Sequence, residues 1–280
     1  MTGFLKLWIS GEGLPLDEVT NRFGIQPTYS YKKGDTYYDK ITKETITYIE
    51  DCWLFNKEIE TEQFEQKIFS FVNSFKIETE YIKSLAKKFK TFLWLAVYPE
   101  REQEIVHLSH KISETIYKLG LPIEIEIADL REFYDGTYLS KNDNAERKNG
   151  DMINLVDFRI SGKSIDFEGV NQALNIIPDY ICKNGNVDYD KTTNQTYTYS
   201  EDCWIAGIKI ENADKTEERI LEFINLFYKN KEYVKQLSNM HNITLWITLS
   251  QDTNQYNLTF TQNVLGKISE LGIDVNIICV

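Results

Sequence analysis

The sequence predicts an α+β protein made of two similar domains, each with a mostly antiparallel sheet and helices packed largely on one face. The stretch from Leu7 to Trp53 aligns without a gap with Phe158 to Trp204, 151 residues later, and 20 of the 47 aligned positions are identical. Within each copy, segments of alternating apolar residues are interspersed with segments of helical spacing. Each copy is as long as an average domain, which indicates two folded domains and not an array of short repeats.

The first copy begins with a predicted strand, Phe4 to Ser10, and a short helix follows it. Pro15 stands in the first turn of this helix, Gly24 supplies the left-handed residue that ends it, and Pro27 prevents its continuation. In the second copy Asn175 replaces Gly24, and asparagine also tolerates a positive φ. We therefore expect Gly24 to cap a helix and not to bind phosphate.

A hairpin, a long strand and a helix are predicted next. Residues 35–39 form the first strand of the hairpin, and polar residues 40–44 form its turn. A β-branched and aromatic strand then runs from Thr45 to Phe55. Apolar residues at helical spacing predict a helix between Phe64 and Phe75, and between Ile220 and Phe227 in the second copy.

Each copy ends in a short helical segment, two strands, a capped helix and a last strand. In the first copy these are residues 81–89, 92–98, 104–108, 109–119 and 123–128. Ser109 or Thr261 stands at the N-cap of the capped helix, and Gly120 or Gly272 closes it. The predicted domains are 1–130 and 152–280, joined by a polar linker at 131–151.

The tryptophans divide into two predicted groups. Trp8 aligns with Arg159, and a position that accepts either residue is expected at the surface. The others recur in both copies and are expected to anchor the two cores: Trp53, Trp94, Trp204 and Trp246.

Composition and charge restrict the function classes. The 280 residues are 42% hydrophobic and carry a net charge of -12. Each half of the chain, divided after Ser140, contributes -6 (17 basic and 23 acidic residues, then 14 and 20). Such a field disfavours nucleic acids and anionic membranes and favours a basic partner protein. The chain shows neither a secretory leader nor a spanning segment, so we expect a cytoplasmic protein.

Cysteine and histidine patterns give no metal or cofactor site. Four cysteines are present without a CxxC or Cys/His spacing, and we expect them to be reduced. His107 and His110 form a His-x-x-His pair, but the second copy has Thr259 and Gln262 at those positions. We interpret them as surface residues, and we predict no metal, cofactor or catalytic residue.

A set of tyrosines and carboxylates recurs in both copies and forms the predicted partner-binding site. Paired carboxylates beside tyrosines are also compatible with acid/base chemistry in a cleft, or with a purely structural role at a turn and a strand edge. The predicted residues are Tyr38, Asp39, Tyr48, Glu50 and Asp51 in the first copy, and Tyr189, Asp190, Tyr199, Glu201 and Asp202 in the second.

Several motifs together resemble the bacterial domain-of-unknown-function family 4279, in two tandem copies over nearly the whole chain. They are a strand ending in Ser-Gly, the helix ending Phe-Gly-Ile-Gln-Pro, Lys33-Gly34-Asp35, Cys52-Trp53, and the closing Ile-Tyr-Lys-Leu-Gly-Leu-Pro-Ile-Glu-Ile. The second copy departs from the pattern at Asn184-Gly185-Asn186. A charge-dependent role at that position is therefore not shared by both domains.

The sequence leaves three functions open. The first is a non-catalytic acidic interaction protein, for example of the immunity or antitoxin type, that captures a basic partner protein by electrostatic steering. The second is a hydrolase or small-ligand-binding protein that uses the repeated tyrosines and carboxylates. The third is a structural or self-associating module. The oligomeric state and the identity of a partner are not predicted.

Overall fold

The computed structural model describes residues 2–40, 43–60, 64–98, 105–128, 154–190, 194–211, 215–249 and 255–279. These residues form two compact units. Unit 1 takes those within Met1–Arg101, Glu114–Tyr138 and Asn254–Leu265, and unit 2 takes those within Glu102–Ser113, Leu139–Thr253 and Gly266–Val280. The predicted linker, 131–151, lies outside the described residues.

The first repeat has eight strands and four α-helices among its described residues. A 3-10 turn at Lys76–Glu78 precedes the third helix. The elements are β1 (Thr2–Gly11), α1 (Leu16–Phe23), β2 (Tyr29–Tyr31), β3 (Thr36–Tyr38), β4 (Thr45–Thr47), β5 (Asp51–Glu60), α2 (Phe64–Ser74), α3 (Thr79–Ala86), β6 (Lys90–Tyr98), β7 (Ile105–Leu108), α4 (His110–Leu119) and β8 (Ile123–Ala128).

The second repeat has the same order of elements over the part of it that the structure describes. Its elements are β9 (Asn154–Gly162), α5 (Phe167–Leu174), β10 (Tyr180–Cys182), β11 (Val187–Asp190), β12 (Gln195–Thr198), β13 (Asp202–Ile210), α6 (Thr216–Tyr228), α7 (Lys231–Ser238), β14 (Asn242–Leu249), β15 (Gln255–Phe260), α8 (Gln262–Leu271) and β16 (Asp274–Cys279). None of the helices described is long and apolar enough to cross a membrane.

Each unit is built on a six-stranded sheet. The strand order is β15-β8-β6-β1-β5-β2 in unit 1 and β7-β16-β14-β9-β13-β10 in unit 2. One neighbouring pair in each sheet is parallel, β6 with β8 and β14 with β16, and the other pairs are antiparallel. The predicted α+β class with mostly antiparallel sheets is therefore confirmed.

The two repeats exchange one strand. β15, from the second repeat, pairs with β8 at the edge of the unit 1 sheet, with Phe260 opposite Ile123. In the same way β7, from the first repeat, pairs with β16 in unit 2, with Leu108 opposite Val275. The compact units thus follow different boundaries from the sequence repeats 1–130 and 152–280. Because both repeats offer the same sheet edge, periodicity alone does not tell which edge a strand joins.

One face of each sheet is covered by helices. Along β1, Leu5, Leu7 and Ile9 are fully buried on the face against which the helices of unit 1 pack, and the residues between them are partly exposed. This alternation is the period of a strand with one buried face. The core tryptophans Trp53 and Trp204 are also fully buried, as predicted.

The indole N–H of each core tryptophan is satisfied by the first helix of its repeat. Trp53 Nε1 donates to Thr20 Oγ1 at 3.1 Å, and Trp204 Nε1 donates to Asn171 Oδ1 at 2.8 Å. Thr20 and Asn171 occupy equivalent positions of the two repeats, so two different side chains accept the same indole hydrogen bond. Gly24, with φ 63°, caps the first helix as predicted.

Two sequence predictions are wrong in unit 1. Trp94 does not anchor the core: it is only partly buried on the uncovered face of the sheet, and Trp246 is placed in the same way in unit 2. The strand predicted from Thr45 to Phe55 is divided into β4 and β5. The chain bends between them, where Tyr48 exchanges backbone hydrogen bonds with the loop at Gly34 and Asp35.

Candidate functional site

The uncovered face of the unit 1 sheet, called here the open face, holds a pocket. Its walls come from β1, β6 and β8 and from the exchanged strand β15, and its volume is about 470 Å³. Trp8 lies opposite Phe92, and Lys6 opposite Trp94, across the β1–β6 pair. The pocket, which we call the aromatic pocket, is lined by Trp8, Ser10, Glu50, Lys90, Phe92, Trp94, Glu124, Glu126 and Asn257.

Three aromatic rings form one wall of the aromatic pocket. The rings of Trp8 and Phe92 are stacked, with centroids 5.9 Å apart and planes at 18°, and Trp94 lies 6.1 Å from Trp8. Ammonium groups lie over two of these rings: Lys6 Nζ is 3.8 Å from the centroid of Trp94, and Lys90 Nζ is 4.8 Å from that of Phe92. The wall is thus already arranged for cation–π contacts.

Three carboxylates, Glu50, Glu124 and Glu126, add negative charge to the aromatic pocket. Glu124 and Glu126 alternate with buried isoleucines along β8, which places both on the open face. Burial lowers the pKa of Lys6 below its usual value, and the carboxylate of Glu126 acts against this shift. With Lys6 and Lys90, the site keeps a net negative formal charge at neutral pH.

Unit 2 has an arginine of its own at the equivalent place. Arg159 replaces Trp8, and its guanidinium carbon lies 4.4 Å from the ring centroid of Trp246, the counterpart of Trp94. The same guanidinium donates to Asp157 Oδ2 at 2.8 Å. In unit 2 this sheet face therefore holds an arginine that lies over the repeated tryptophan and is paired with a neighbouring carboxylate.

The two histidines of the His-x-x-His pair contact side chains of β16 in unit 2. His107 Nδ1 lies 2.7 Å from Asn276 Oδ1, and His110 Nδ1 lies 2.9 Å from Asp274 Oδ1. Asp274 also accepts the backbone N–H of His110 at 2.8 Å. Among the described residues no three His, Cys, Asp or Glu side chains are grouped as a metal site.

Two of the predicted site carboxylates bind backbone of their own unit. Asp51 accepts the backbone N–H groups of Gly13, Leu14 and Lys33 at 2.8 to 3.0 Å. These bonds, that of Lys33 first, lower the pKa of Asp51. This one carboxylate therefore holds two loops beside β5, the loop with Gly13 and Leu14 and the loop with Lys33.

Asp202 repeats this role in unit 2. It is 8% exposed and accepts the backbone N–H of Asn184 at 2.8 Å and of Ile165 at 2.9 Å, and these bonds lower its pKa. In both copies the aspartate that follows the glutamate accepts backbone N–H groups from two loops. The repeated Asp51 and Asp202 thus have a structural explanation.

The other predicted site residues are distributed over the surface. Glu50 lines the aromatic pocket, whereas Glu201 is exposed. Tyr38 and Tyr189 are 56% and 50% exposed on the two-stranded ribbons β3–β4 and β11–β12. The backbone N–H of Asp39 donates to the carbonyl oxygen of Glu44. The ring of Tyr48 stacks on that of Tyr31, with centroids 3.7 Å apart. The side chain of Asp190 lies outside the described residues.

Tyr199 belongs to a cluster that the repeat pattern does not reveal. The hydroxyl groups of Tyr180, Tyr197 and Tyr199 all lie 3.3 to 3.4 Å from Asp188 Oδ2, and we call this group the tyrosine cluster. The backbone N–H of Tyr189 and these hydroxyls lower the pKa of Asp188. Unit 1 has Tyr29, Ile46, Tyr48 and Tyr37 at the equivalent positions, so the cluster is specific to unit 2.

Comparison with known proteins identifies the repeats but no characterised relative. A family model described as Domain of unknown function (DUF4279) matches residues 2–130 and again residues 151–279. No curated protein and no solved structure matches the chain.

Proposed function

The chain belongs to the DUF4279 domain family and contains two copies of the domain. From the geometry of unit 1, we propose that it is a non-catalytic protein that binds a basic partner protein. The observation that carries this proposal is the aromatic pocket, where three rings and three carboxylates meet on an open sheet face. A planar guanidinium can stack on a ring and bond a carboxylate at once, so arginine is the side chain that suits this pocket.

Unit 2 supports arginine as the group that enters the pocket. There the sheet face carries its own guanidinium, Arg159, against Trp246 and Asp157. In unit 1 the same position is Trp8, and the position of Asp157 is Lys6. In unit 1 the ammonium groups of Lys6 and Lys90 lie over two of the three rings, and an incoming arginine displaces them, whereas in unit 2 the chain's own Arg159 lies over the ring.

The charge of the whole chain supports a protein partner over nucleic acid or an anionic membrane. At a net charge of -12 the protein repels phosphate groups and attracts a basic surface over a distance of about one Debye length, roughly 8 Å at physiological salt. A small acidic protein of this kind suits the masking of a basic toxin, as an immunity or antitoxin protein does. The proposal also places it in the cytoplasm, where a single free thiol such as that of Cys52 stays reduced.

A catalytic role receives less support from the geometry. Acid/base catalysis by the repeated carboxylates requires Asp39, Glu50 and Asp51 to converge on one cleft. Of these three, only Glu50 lines the aromatic pocket, and Asp51 is bound to backbone N–H groups. The proposed function is therefore binding.

We expect an arginine-rich peptide such as acetyl-tetra-arginine amide to bind the full chain. The double variant Glu124→Gln/Glu126→Gln is expected to weaken this binding about tenfold, which corresponds to roughly 1.4 kcal/mol of binding free energy. The reason is the loss of two carboxylates beside the rings. Isothermal titration calorimetry at low and at moderate salt measures both effects, because screening weakens an electrostatic contact.

The matched control removes the same charge elsewhere. Glu217→Gln/Glu218→Gln on α6 of unit 2 is expected to leave the affinity within about twofold. Trp8→Arg gives unit 1 the arginine that unit 2 has and is expected to abolish binding. Equal loss in the α6 variant, or unchanged affinity in Trp8→Arg, contradicts the aromatic pocket as the site. A native basic protein retained by the wild type and lost with Trp8→Arg identifies the partner.

A further inference from the structure

Two cysteines face each other across neighbouring strands in unit 2. Cys182 on the edge strand β10 is the direct partner of Cys203 on β13. Residues directly opposite in an antiparallel pair have Cα atoms about 4.5 to 5.5 Å apart and side chains on the same face. A disulfide spans about 4.4 to 6.8 Å between Cα atoms. The backbone register therefore already meets the requirement for a bond between these two sulfur atoms.

The two thiols are in contact with each other. Cys182 is 2% exposed, Cys203 is partly exposed, and their side chains are joined by a hydrogen bond. Burial raises the pKa of Cys182 and raises that of Cys203 to about 11. At neutral pH both thiols are therefore protonated, and their exchange with a disulfide is slow because only the thiolate attacks.

Unit 1 lacks this pair. At the equivalent cross-strand position Tyr31 faces Cys52, which leaves a single thiol. The first repeat is thus an internal reference with the same backbone and the same second cysteine.

We propose that Cys182 and Cys203 are a redox modification site, where a low-molecular-weight disulfide such as oxidised glutathione converts the dithiol into a cross-strand disulfide. The Cys203 sulfur, the more exposed of the two, attacks oxidised glutathione as the thiolate. One glutathione leaves, and Cys203 is joined to the other. The Cys182 thiolate then attacks the Cys203 sulfur and displaces the second glutathione. The protein loses two electrons and two protons, and two glutathione thiols are formed.

The disulfide acts on a surface next to the pair. β10 has only three residues and is the last strand of its sheet, and its Tyr180 belongs to the tyrosine cluster. A covalent bond from β10 to β13 fixes this edge strand and with it the position of Tyr180. The inference does not depend on the proposed function, because the aromatic pocket is in unit 1.

The test uses the folded full chain, incubated with oxidised glutathione, and peptide mapping by mass spectrometry. We expect two of the four thiols to disappear and one cross-linked peptide pair to contain Cys182 and Cys203. Since only the thiolate attacks, the rate is expected to rise roughly tenfold per pH unit between pH 7 and 9.

Cys203→Ser and Cys52→Ser are the matched variants, because they change the same position of the two repeats. Cys52→Ser is expected to form the disulfide as the wild type does, and Cys203→Ser to form none. A glutathione adduct that persists on Cys203, a disulfide to Cys52 or Cys279, or four unreacted thiols in the folded protein overturns the proposal. The wild-type peptide map decides the matter even if a variant fails to fold.

Discussion

The substitution Phe260→Ala is expected to destabilise unit 1, although Phe260 belongs to the second repeat, by about 3 to 5 kcal/mol. Phe260 is 1% exposed and stands opposite Ile123 in the exchanged pair β15–β8. Removing the ring leaves a cavity beside the core of unit 1. Hydrogen–deuterium exchange measures the effect, as an increased exchange rate of the β8 amides, Ile123–Ala128.

The control for this prediction is Leu108→Ala, the same repeat position in the first copy. Leu108 is 1% exposed and pairs with Val275, so its truncation is expected to increase exchange in β16 of unit 2, at a cost of about 2 to 5 kcal/mol. Each variant is therefore expected to loosen the unit whose sheet contains the altered strand, and not the unit formed mainly by the repeat from which that strand comes. If Phe260→Ala loosens β16 first and Leu108→Ala loosens β8 first, the strands are not exchanged.

The second large effect is expected for Asp202→Ala, which should lower the free energy of unfolding by about 3 kcal/mol at pH 7. The variant leaves the backbone N–H groups of Asn184 and Ile165 without their charged acceptor, and both loops lose their shared anchor. Urea unfolding of the wild type and the variant gives the difference directly.

Glu201→Ala is the neighbouring control, and pH supplies a second one. Glu201 is exposed, so its truncation is expected to change the free energy of unfolding by less than about 0.5 kcal/mol.

Because folding lowers the pKa of Asp202 below 3.8, its stabilising effect is complete above that pH and is lost as pH falls through the folded-state value. The difference between wild type and Asp202→Ala must therefore shrink in acid. A difference that stays constant down to pH 2 contradicts an ionised carboxylate as the cause.

Much of the fold could be predicted from the sequence because its local signals agree with each other. The 151-residue offset, the cap at Gly24 and the alternation along β1 all depend on residues close in sequence. The strand exchange could not be predicted, because β7 and β15 carry the same apolar pattern and the edges of both sheets accept either. The bend after Tyr48 was missed for a similar reason: hydrogen bonds to a distant loop cause it.

The candidate site was predicted only in part, because a repeat comparison favours what both copies keep. That comparison selected Asp51 and Asp202, which accept backbone N–H groups from loops of their units, and Glu50. The pocket itself lies where the copies differ, at Trp8 against Arg159. The alternation Ile123-Glu124-Ile125-Glu126-Ile127 was the available signal, since it places two carboxylates on one strand face.

The exchanged strands also determine when each unit can be completed during synthesis. The β8 edge of unit 1 receives its partner, β15, only after the ribosome has made residues 255–260, almost the whole chain. Until then β8 presents unpaired backbone groups, which attract other strands and favour aggregation. A repeat separated from its copy would have to pair its own strand with this edge to close it, β7 with β8 or β15 with β16.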